Sequence, residues 1–405
     1  VCGSCGAAAE YNPWLSSSYN MGLLKTTHSY GSGDTYSQQA ADLVSIGPFP
    51  DTKQYFWEVT KATMPILYSA AFQAIIGIGP PETPAADAWE ATAKTAANVS
   101  QGLNASGHVP SDMLEKVSEN LEVALELSAK TPLLQTFNVS MFSLCVGKRP
   151  GSDGFFVWND NSAYIHTNIF KRVSVVGRHS WSVWLSNVRI SGVDQDGSNH
   201  GNSTYHLGCT EGCSAIIDSG TSLLAVPSFI KNKLESLMSR MNGDCSNLQE
   251  FPDLIFDMDG HTFSLPPDAY VAEVVGTLPN YLTDYVNVRP RQFPFEPRTR
   301  CQLLLMESYA STRYGPLWIL GVPFFRKYYT SFRIGKSRSE RSLYIAPASK
   351  DCRPATNQAV LLGRASHPHV RTSGTPDIDI PLVDASKINL PAIARHAAKQ
   401  KFVNL

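Results

Sequence analysis

A carboxylate at the end of an apolar run is the feature of this sequence best suited to chemistry. Residues 215–217 are apolar, Asp218 follows them directly, and Ser219, Gly220 and Thr221 come next. Burying a carboxylate beside isoleucines is costly unless hydrogen bonds reach its oxygens. The two hydroxyls and the Gly220 amide stand at the right distance along the chain to donate them. A carboxyl group held in this way is a candidate for acid–base catalysis.

The same four residues also have a purely structural interpretation. An Asp followed by hydroxyl residues and Gly can form an Asx turn, in which the side chain only stabilises the backbone. Judged alone, the four residues leave both interpretations open. The surrounding sequence has to decide between them.

Short strands are predicted around Asp218 and through much of the chain. Alternating or β-rich apolar runs occur at 42–46, 181–190, 215–224, 252–265 and 318–332. The Ala-rich segment 80–131 differs, because apolar residues recur there at three- and four-residue spacing, at Leu114, Val117, Leu121 and Leu125. With Ser111 as an N-cap, this spacing predicts a helix over about 112–129 that covers a sheet face.

Composition excludes several classes of protein. The 405 residues include 34 Lys and Arg against 35 Asp and Glu, a formal net charge of −1. Nucleic-acid and membrane-surface binders need a basic excess, so neither class fits. No apolar run reaches the ~18 residues needed to span a membrane. Eight cysteines and four sequons fit a secretory route, the sequons being at Asn98, Asn104, Asn138 and Asn202.

Several motifs together resemble the pepsin-like aspartic proteases. The run Asp-Ser-Gly-Thr-Ser at 218–222 resembles that family's second active-site motif, and Trp-Ile-Leu-Gly at 318–321 with the segment 325–332 resembles its C-terminal motifs. Residues 30–33 resemble the flap, and 74–79 are similar to a turn of the first lobe. Because the motifs occur in the family's order over residues 1–350, we identify the chain as a suspected member.

The resemblance implies an all-β, bilobal fold with lobes related by a pseudo-twofold axis. We expect an N-terminal lobe over 1–185, with a flap at 28–47 and a helical insertion at about 80–131. The C-terminal lobe then spans 186–352 and contains Asp218. Residues 353–405, basic and broken by prolines, are expected to be a mostly disordered tail.

The resemblance also implies roles for individual residues. Asp218 matches one of the two carboxyl groups of the catalytic pair. Ser219 matches the hydroxyl residue that ties the two active-site loops together. Thr221 matches the hydroxyl residue that donates a hydrogen bond to the outer carboxylate oxygen. The flap residues Tyr30, Gly31, Ser32 and Gly33 would close over substrate. The alternative for Tyr30 is an exposed turn tyrosine.

Family bridges are implied for four of the cysteines, pairing Cys209 with Cys213 and Cys245 with Cys301. Cys2 and Cys5 form a C-x-x-C sequence that a redox or metal site could also use. A disulfide is favoured there, since no second C-x-x-C is present. The two remaining cysteines, Cys145 and Cys352, are then a third hypothetical pair.

The first lobe departs from the family in one respect. It contains no Asp-Ser/Thr-Gly sequence: Asp34-Thr35 is followed by Tyr36, and Asp153 precedes Gly154 directly. One carboxyl group cannot act as acid and base at once, so the chain as given is expected to be inactive. We expect the missing aspartate to lie upstream of Val1. A catalytically dead homologue is the alternative.

The sequence therefore predicts an aspartic endopeptidase that hydrolyses peptide bonds with a carboxylate-activated water. It predicts no metal or organic cofactor, a peptide or protein substrate in a cleft between lobes, no nucleic-acid partner and a monomer. The expected location is the secretory pathway, outside the cell or in a lysosome or vacuole. A pepsin-fold peptide binder or inhibitor without catalysis is the competing hypothesis.

Overall fold

The computed structural model of the protein describes residues 11–30, 33–64, 67, 72, 74–81, 83–107, 111–148, 152–191, 204–237, 241–276, 300–355, 382–385, 388 and 390. These residues divide into two compact units. The first comprises 11–28 and 33–139, and the second comprises 29–30 and the residues from 140 onward. Both contain extended β-sheet, which confirms the predicted all-β class.

The division between the two compact units falls after Val139. The predicted lobe boundary at 185/186, which lies within the strand Ser182–Ser191, stays a prediction. The physical reason is strand pairing. Residues 141–174 hydrogen-bond into one sheet with strands from 328–347, so they belong to the second unit.

The first unit is built on a three-stranded sheet in the order β1-β2-β3. Its strands are β1 (Asn20–Tyr30), β2 (Gly33–Val44) and β3 (Thr52–Thr63). A 3-10 turn at Pro13–Leu15 precedes them. β2 is the central strand and the most buried, and it pairs antiparallel with β3 along its whole length, as in Ala41 opposite Tyr55.

The predicted insertion is helical. It contains α1 (Thr83–Ser106) and α2 (Ser111–Ser128), followed by the short α3 (Leu133–Thr136). α1 and α2 lie against each other, where the indole of Trp89 donates a 2.8 Å hydrogen bond to the Ser128 hydroxyl. Among the described residues, neither these helices nor the shorter ones have the length and apolar character needed to cross a membrane.

The predicted helix at 112–129 is confirmed by α2, but its expected burial is wrong. Leu114, Leu121 and Leu125 are 54%, 39% and 55% exposed. Among the described side chains of α2, the buried one is that of Ala124. Three of the four apolar residues that predicted the helix therefore remain on the surface.

The second unit contains a five-stranded sheet in the order β5-β4-β18-β19-β6. Its strands are β4 (Met141–Cys145), β5 (Phe155–Trp158), β6 (Lys171–Ser174), β18 (Tyr328–Arg333) and β19 (Ser342–Pro347). Phe142 stacks on Phe332 across β4 and β18, with ring centroids 4.8 Å apart. This aromatic contact joins segments that are far apart in sequence.

A larger sheet of the same unit has the order β12-β11-β7-β9-β17-β10-β15, with β8 and β16 at its sides. Its strands are β7 (Ser182–Ser191), β8 (Thr204–Gly208), β9 (Cys213–Ile217), β10 (Leu224–Pro227), β11 (Leu254–Met258), β12 (His261–Leu265), β15 (Leu305–Ser308), β16 (Ser311–Thr312) and β17 (Gly315–Leu320). Short helices accompany these sheets: α4 (Ser162–Ile165), α5 (Ser228–Leu237), α6 (Pro267–Tyr270) and α7 (Val322–Lys327), with 3-10 turns at Leu248–Glu250 and Arg338–Glu340.

Part of the predicted disordered tail is ordered. β20 (Leu382–Asp384) pairs parallel with β13 (Val271–Val275), which also pairs with β14 (Arg300–Leu303). Ala385, Ile388 and Leu390 then join the hydrophobic core of the larger sheet. These apolar residues contribute to a core built by distant segments. The overall composition of the tail, basic and broken by prolines, does not predict this contact.

Three disulfides link the described cysteines. Cys209–Cys213 and Cys245–Cys301 form the two implied bridges, and Cys145–Cys352 forms the hypothetical third. The third connects β4 to the chain after β19 across 207 residues of sequence. Cys2 and Cys5 lie outside the described residues.

Candidate active site

Asp218 follows a strand that is buried at every residue. β9 runs parallel to β17 and antiparallel to β7, so it lies inside the sheet with a hydrogen-bonded neighbour on each side. The Asp218 amide continues the ladder by donating to the Leu320 carbonyl oxygen at 3.1 Å. The strands hydrogen-bonded on both sides of β9 therefore fix the position of the Asp218 backbone, from which the carboxyl group extends.

The loop after Asp218 passes over the end of β17. β10 pairs with β17 on the side opposite β9, so residues 218–223 must cross from one side of β17 to the other. The crossing is tight at Gly321, where an added β-carbon would lie 2.2 Å from the carbonyl oxygens of both Thr221 and Leu223. The Val322 amide then donates to the Thr221 carbonyl at 2.8 Å. Glycine at 321 thus permits the close approach that holds the loop.

Both carboxylate oxygens of Asp218 accept hydrogen bonds from its own loop. The Gly220 amide donates to Oδ1 at 2.9 Å, and the buried Thr221 hydroxyl donates to Oδ2 at 2.6 Å. Burial raises the pKa of Asp218, and these two hydrogen bonds oppose but do not cancel that effect. The result is a rigidly held carboxyl group that retains its proton to a higher pH than an ordinary aspartic acid.

The predicted partners of Asp218 occupy distinct positions in the loop. Thr221 makes the expected hydrogen bond to one carboxylate oxygen, and Gly220 supplies a backbone donor to the other. Ser219 is exposed. Its expected role in tying two loops together stays a prediction.

The flap prediction falls on the hairpin formed by β1 and β2. Tyr30 is the last residue of β1 and Gly33 the first of β2, and Gly31 and Ser32 lie outside the described residues. Gly33 has φ of +142°, and a β-carbon there would lie 2.0 Å from the Thr63 carbonyl oxygen, so no other residue fits. Tyr30 is half-buried, and burial raises its pKa. The flap role of Tyr30 stays a prediction.

A second carboxyl group of the same design is absent from the described residues. Residues 74–79, which resemble the first lobe's turn, form no strand or helix, and Ile75 and Ile76 are about half exposed. Asp34 lies within the β2–β3 ladder rather than at the exit of a buried strand.

Asp42 is buried but fully engaged by neighbours within the first unit. Its carboxylate accepts hydrogen bonds from the hydroxyls of Ser18, Tyr11 and Ser16 and from the Leu43 amide. Hydrogen bonds from Ser18 and Tyr11 lead the causes that lower the pKa of Asp42 to about 2. A carboxylate stabilised in its ionised form this strongly fits a structural role.

Sequence reasoning missed a second buried carboxylate, Asp160. Its oxygens accept hydrogen bonds from Ser143, from the amide and hydroxyl of Ser162, and from the Tyr329 hydroxyl at 2.8 Å. Ser143 also lies 2.7 Å from the Ser331 hydroxyl. Burial acts to raise the pKa of Asp160, but the hydrogen bonds outweigh it and the pKa is lowered. In the sequence, only Ser162 is close enough to Asp160 to suggest the cluster.

The class of protein follows from this arrangement. The β-rich fold holds an acidic carboxyl group, with a raised pKa, at the end of a buried strand and inside a glycine-dependent loop. Such a group can donate and accept protons near the pH at which it titrates. The arrangement is therefore that of a candidate acid–base group in a β-rich protein.

Comparison with known proteins specifies the family. The sequence model described as "Eukaryotic aspartyl protease" matches residues 2–113 and 134–342. Pepsin A of Bos taurus is 24% identical over 353 residues, which cover 85% of this chain and 75% of the relative. Pepsin A of Sus scrofa is 25% identical over 85% of this chain and 72% of its own length, and cathepsin E-A of Xenopus laevis is 24% identical over 83% and 69%. The chain belongs to the eukaryotic aspartyl protease family, the pepsin-like aspartic endopeptidases.

Proposed function

We propose that the protein hydrolyses peptide bonds, with Asp218 as one of two carboxyl groups that act on a water molecule. The observation that carries the proposal is the hydrogen bonding of both Asp218 oxygens by Gly220 and Thr221 at the exit of a buried strand. Membership of the aspartyl protease family supports it.

The chemistry divides between the two carboxyl groups. Two close carboxyl groups share one proton in aspartic proteases, because both cannot be ionised at small separation. The ionised group accepts a proton from water as the water oxygen attacks the peptide carbonyl carbon. The protonated group donates to the carbonyl oxygen, and a later proton transfer to the amide nitrogen releases the amine. The raised pKa of Asp218 suits it to hold the shared proton.

Neither Asp42 nor Asp160 suits the role of the second carboxyl group. The oxygens of Asp42 and Asp160 are engaged by their own neighbours. In the family's order of motifs, the first aspartate precedes a cysteine loop that Cys2 and Cys5 resemble. We propose that the partner of Asp218 precedes Cys2, as the family's order of motifs implies.

The proposed substrate is an extended peptide of seven or eight residues, with apolar side chains on either side of the scissile bond. Main-chain hydrogen bonds to strands such as those of the Tyr30 hairpin would hold it. The proposed setting is the secretory pathway, outside the cell or in a lysosome or vacuole, with the protein as a monomer. The three disulfides support an oxidising compartment.

A second candidate function is peptide binding without hydrolysis. It is favoured by one observation, that the 405 residues contain a single Asp-Ser/Thr-Gly sequence, at 218–220. A chain with one catalytic carboxyl group would hold a peptide without cleaving it.

The test compares the complete gene product with its Asp218→Asn variant on a peptide library at acidic pH. The proposal expects a loss of about 10²–10⁴-fold or more in hydrolysis. Asp153→Asn, which alters an exposed aspartate of the same unit, is the matched control and should retain activity. Turnover of Asp218→Asn within a few-fold of the unaltered protein contradicts the assignment. Peptide binding by a complete protein that never cleaves supports the second candidate instead.

A further inference from the structure

Residues 382–385, 388 and 390, called the C-terminal strap below, are held by the second unit through both backbone and side chains. The strap begins with β20, which pairs parallel with β13 in a register that places Leu382 beside Glu273 and Asp384 beside Val275. Three side chains that follow the strand are at most 2% exposed, namely those of Ala385, Ile388 and Leu390. The strap is therefore an integrated part of this unit.

The core that receives the strap is the core from which the Asp218 loop emerges. One hydrophobic cluster contains the three buried strap residues together with Ile216, Leu223 and Ile319. Ile216 lies two residues before Asp218, and Leu223 is the last residue of the loop. Ile319 lies two residues before Gly321, where the loop crosses β17. The strap thus fills a core that also anchors both ends of the loop, and close-packed cores respond to the loss of even one methylene group.

Backbone hydrogen bonds connect the strap's partner strand to the same loop. The Leu304 amide donates at 2.8 Å to the carbonyl oxygen of Tyr270, the residue before β13. The Leu304 carbonyl oxygen accepts at 2.9 Å from the amide of Leu224, the residue after the loop. Leu304 is itself buried in the same cluster. A single residue therefore links β13, to which the strap pairs, with the end of the Asp218 loop.

The strap lies outside the part of the sequence that the family shares. The match to the aspartyl protease family ends at residue 342, and β20 begins at Leu382. What the strap contributes to the active site is therefore additional to the family's common sequence.

We propose that the strap is a positioning element of the active site, and that Ile388 is a positioning residue through which it holds the Asp218 loop in place. The inference rests on the proposed function, because it takes Asp218 as a catalytic carboxyl group. Ile388 acts through the core that it shares with Ile216 and Leu223. Its truncation loosens the loop without removing a hydrogen-bond donor, and a misplacement of about 1 Å can cost about 10²-fold in rate.

Hydrogen exchange of the 405-residue chain tests the support of the loop without requiring hydrolysis. The Val322 amide donates to the Thr221 carbonyl oxygen at 2.8 Å, so its exchange reports opening of the loop. Ile388→Ala leaves a cavity in the shared core and should speed exchange of this amide by at least about tenfold. Ile388→Val keeps most of the side chain and should stay within about threefold, and it serves if the Ala variant does not fold.

The matched control is Ile169→Ala. Ile169 is an isoleucine of the same unit and is 4% exposed, but it belongs to a different hydrophobic cluster, which contains Phe170 and Tyr329. Its replacement removes the same atoms at similar burial, so the melting temperature should fall comparably. Exchange of the Val322 amide should nevertheless stay within about twofold, because the cavity lies in another part of the core.

Kinetics of the complete gene product test the consequence for catalysis. Ile388→Ala should lower kcat for peptide hydrolysis by at least about tenfold and leave KM within about twofold, because the loop holds the reacting carboxyl group. Ile169→Ala should leave both constants within about twofold.

Three results would overturn the proposal. Equal acceleration of Val322 exchange in the two alanine variants would mean that Ile388 acts only through overall stability. Unchanged exchange in Ile388→Ala would mean that the strap does not support the loop. Faster exchange with unchanged kcat would mean that hydrolysis does not depend on this support. A complete gene product that never cleaves peptides contradicts the proposed function instead, and the exchange measurement then still decides whether the strap holds the loop.

Discussion

The Thr221 hydroxyl donates a 2.6 Å hydrogen bond to Oδ2 of Asp218, three residues before it in the chain. Thr221 is fully buried. The hydrogen bond stabilises the ionised carboxylate and so works against burial, which is the larger effect on the pKa of Asp218. The balance between these two effects sets the pH at which Asp218 exchanges its proton.

Replacing Thr221 by Val should therefore raise the pKa of Asp218 further. Val has a similar shape but no donor, so the ionised form loses a hydrogen bond while burial is unchanged. Carbon-13 NMR titration of the aspartate carboxyl groups measures the change. Thr221→Ser keeps a hydroxyl and should restore a pKa close to the original. An unchanged or lower pKa in the Val variant would show that the hydrogen bond does not control the titration.

Asp218→Asn should not impair folding, and the linkage between pKa and stability gives the sign. A carboxyl group whose pKa is raised on folding contributes stability below its unfolded pKa and loses it as pH rises through the folded value. Asn does not titrate, so it loses no stability as the pH rises. The variant should therefore be at least as stable as the unaltered chain at pH 7. This advantage should shrink as pH falls through the raised folded pKa of Asp218 and should be gone by about pH 4, the unfolded value. Thermal unfolding at several pH values measures this. A lower melting temperature at pH 7 would be the contrary result.

Gly321→Ala should destabilise the second unit and displace the Asp218 loop. The added β-carbon meets two backbone oxygens at 2.2 Å, which cannot rotate away as side chains can. Overpacking of this kind costs about 1–3 kcal/mol or more. Denaturant unfolding measures the loss, and Gly243→Ala serves as the control, because no atom lies within 4 Å of a β-carbon at Gly243. Equal stability of the two variants would contradict the close crossing at Gly321.

Asp160→Asn should lower stability at neutral pH and make unfolding less sensitive to acid. The pKa of Asp160 is lowered in the fold, so its contribution is present above the unfolded pKa and lost as pH falls through the folded value. Loss of hydrogen bonds to a buried charged group costs about 1–3 kcal/mol. The difference in free energy of unfolding between the variant and the unaltered chain should become smaller below about pH 4. The control variant Asp153→Asn, at an exposed position, should change neither the stability nor its sensitivity to acid. A stability difference between Asp160→Asn and the unaltered chain that is the same at all pH values would contradict this account of Asp160.

Features that depend on neighbouring residues were predictable from the sequence. The Asp218 loop is one, because Gly220 and Thr221 reach the carboxylate from two and three residues away. Helix α2 is another, since its apolar spacing and Ser111 were enough to locate it within one or two residues. The bridges Cys209–Cys213 and Cys245–Cys301 followed from the resemblance to a family.

Tertiary structure alone decided which distant segments meet. Ser143 and Ser331 lie 188 residues apart but share hydrogen-bonded strands, so the Asp160 cluster has no local signal. The pairing of Leu382–Asp384 with Val271–Val275, and the exposure of Leu121 and Leu125, likewise depend on what else packs nearby. A residue's type and spacing fix which hydrogen bonds and contacts it can make with its chain neighbours. The choice among distant partners is made by the order of strands in a sheet.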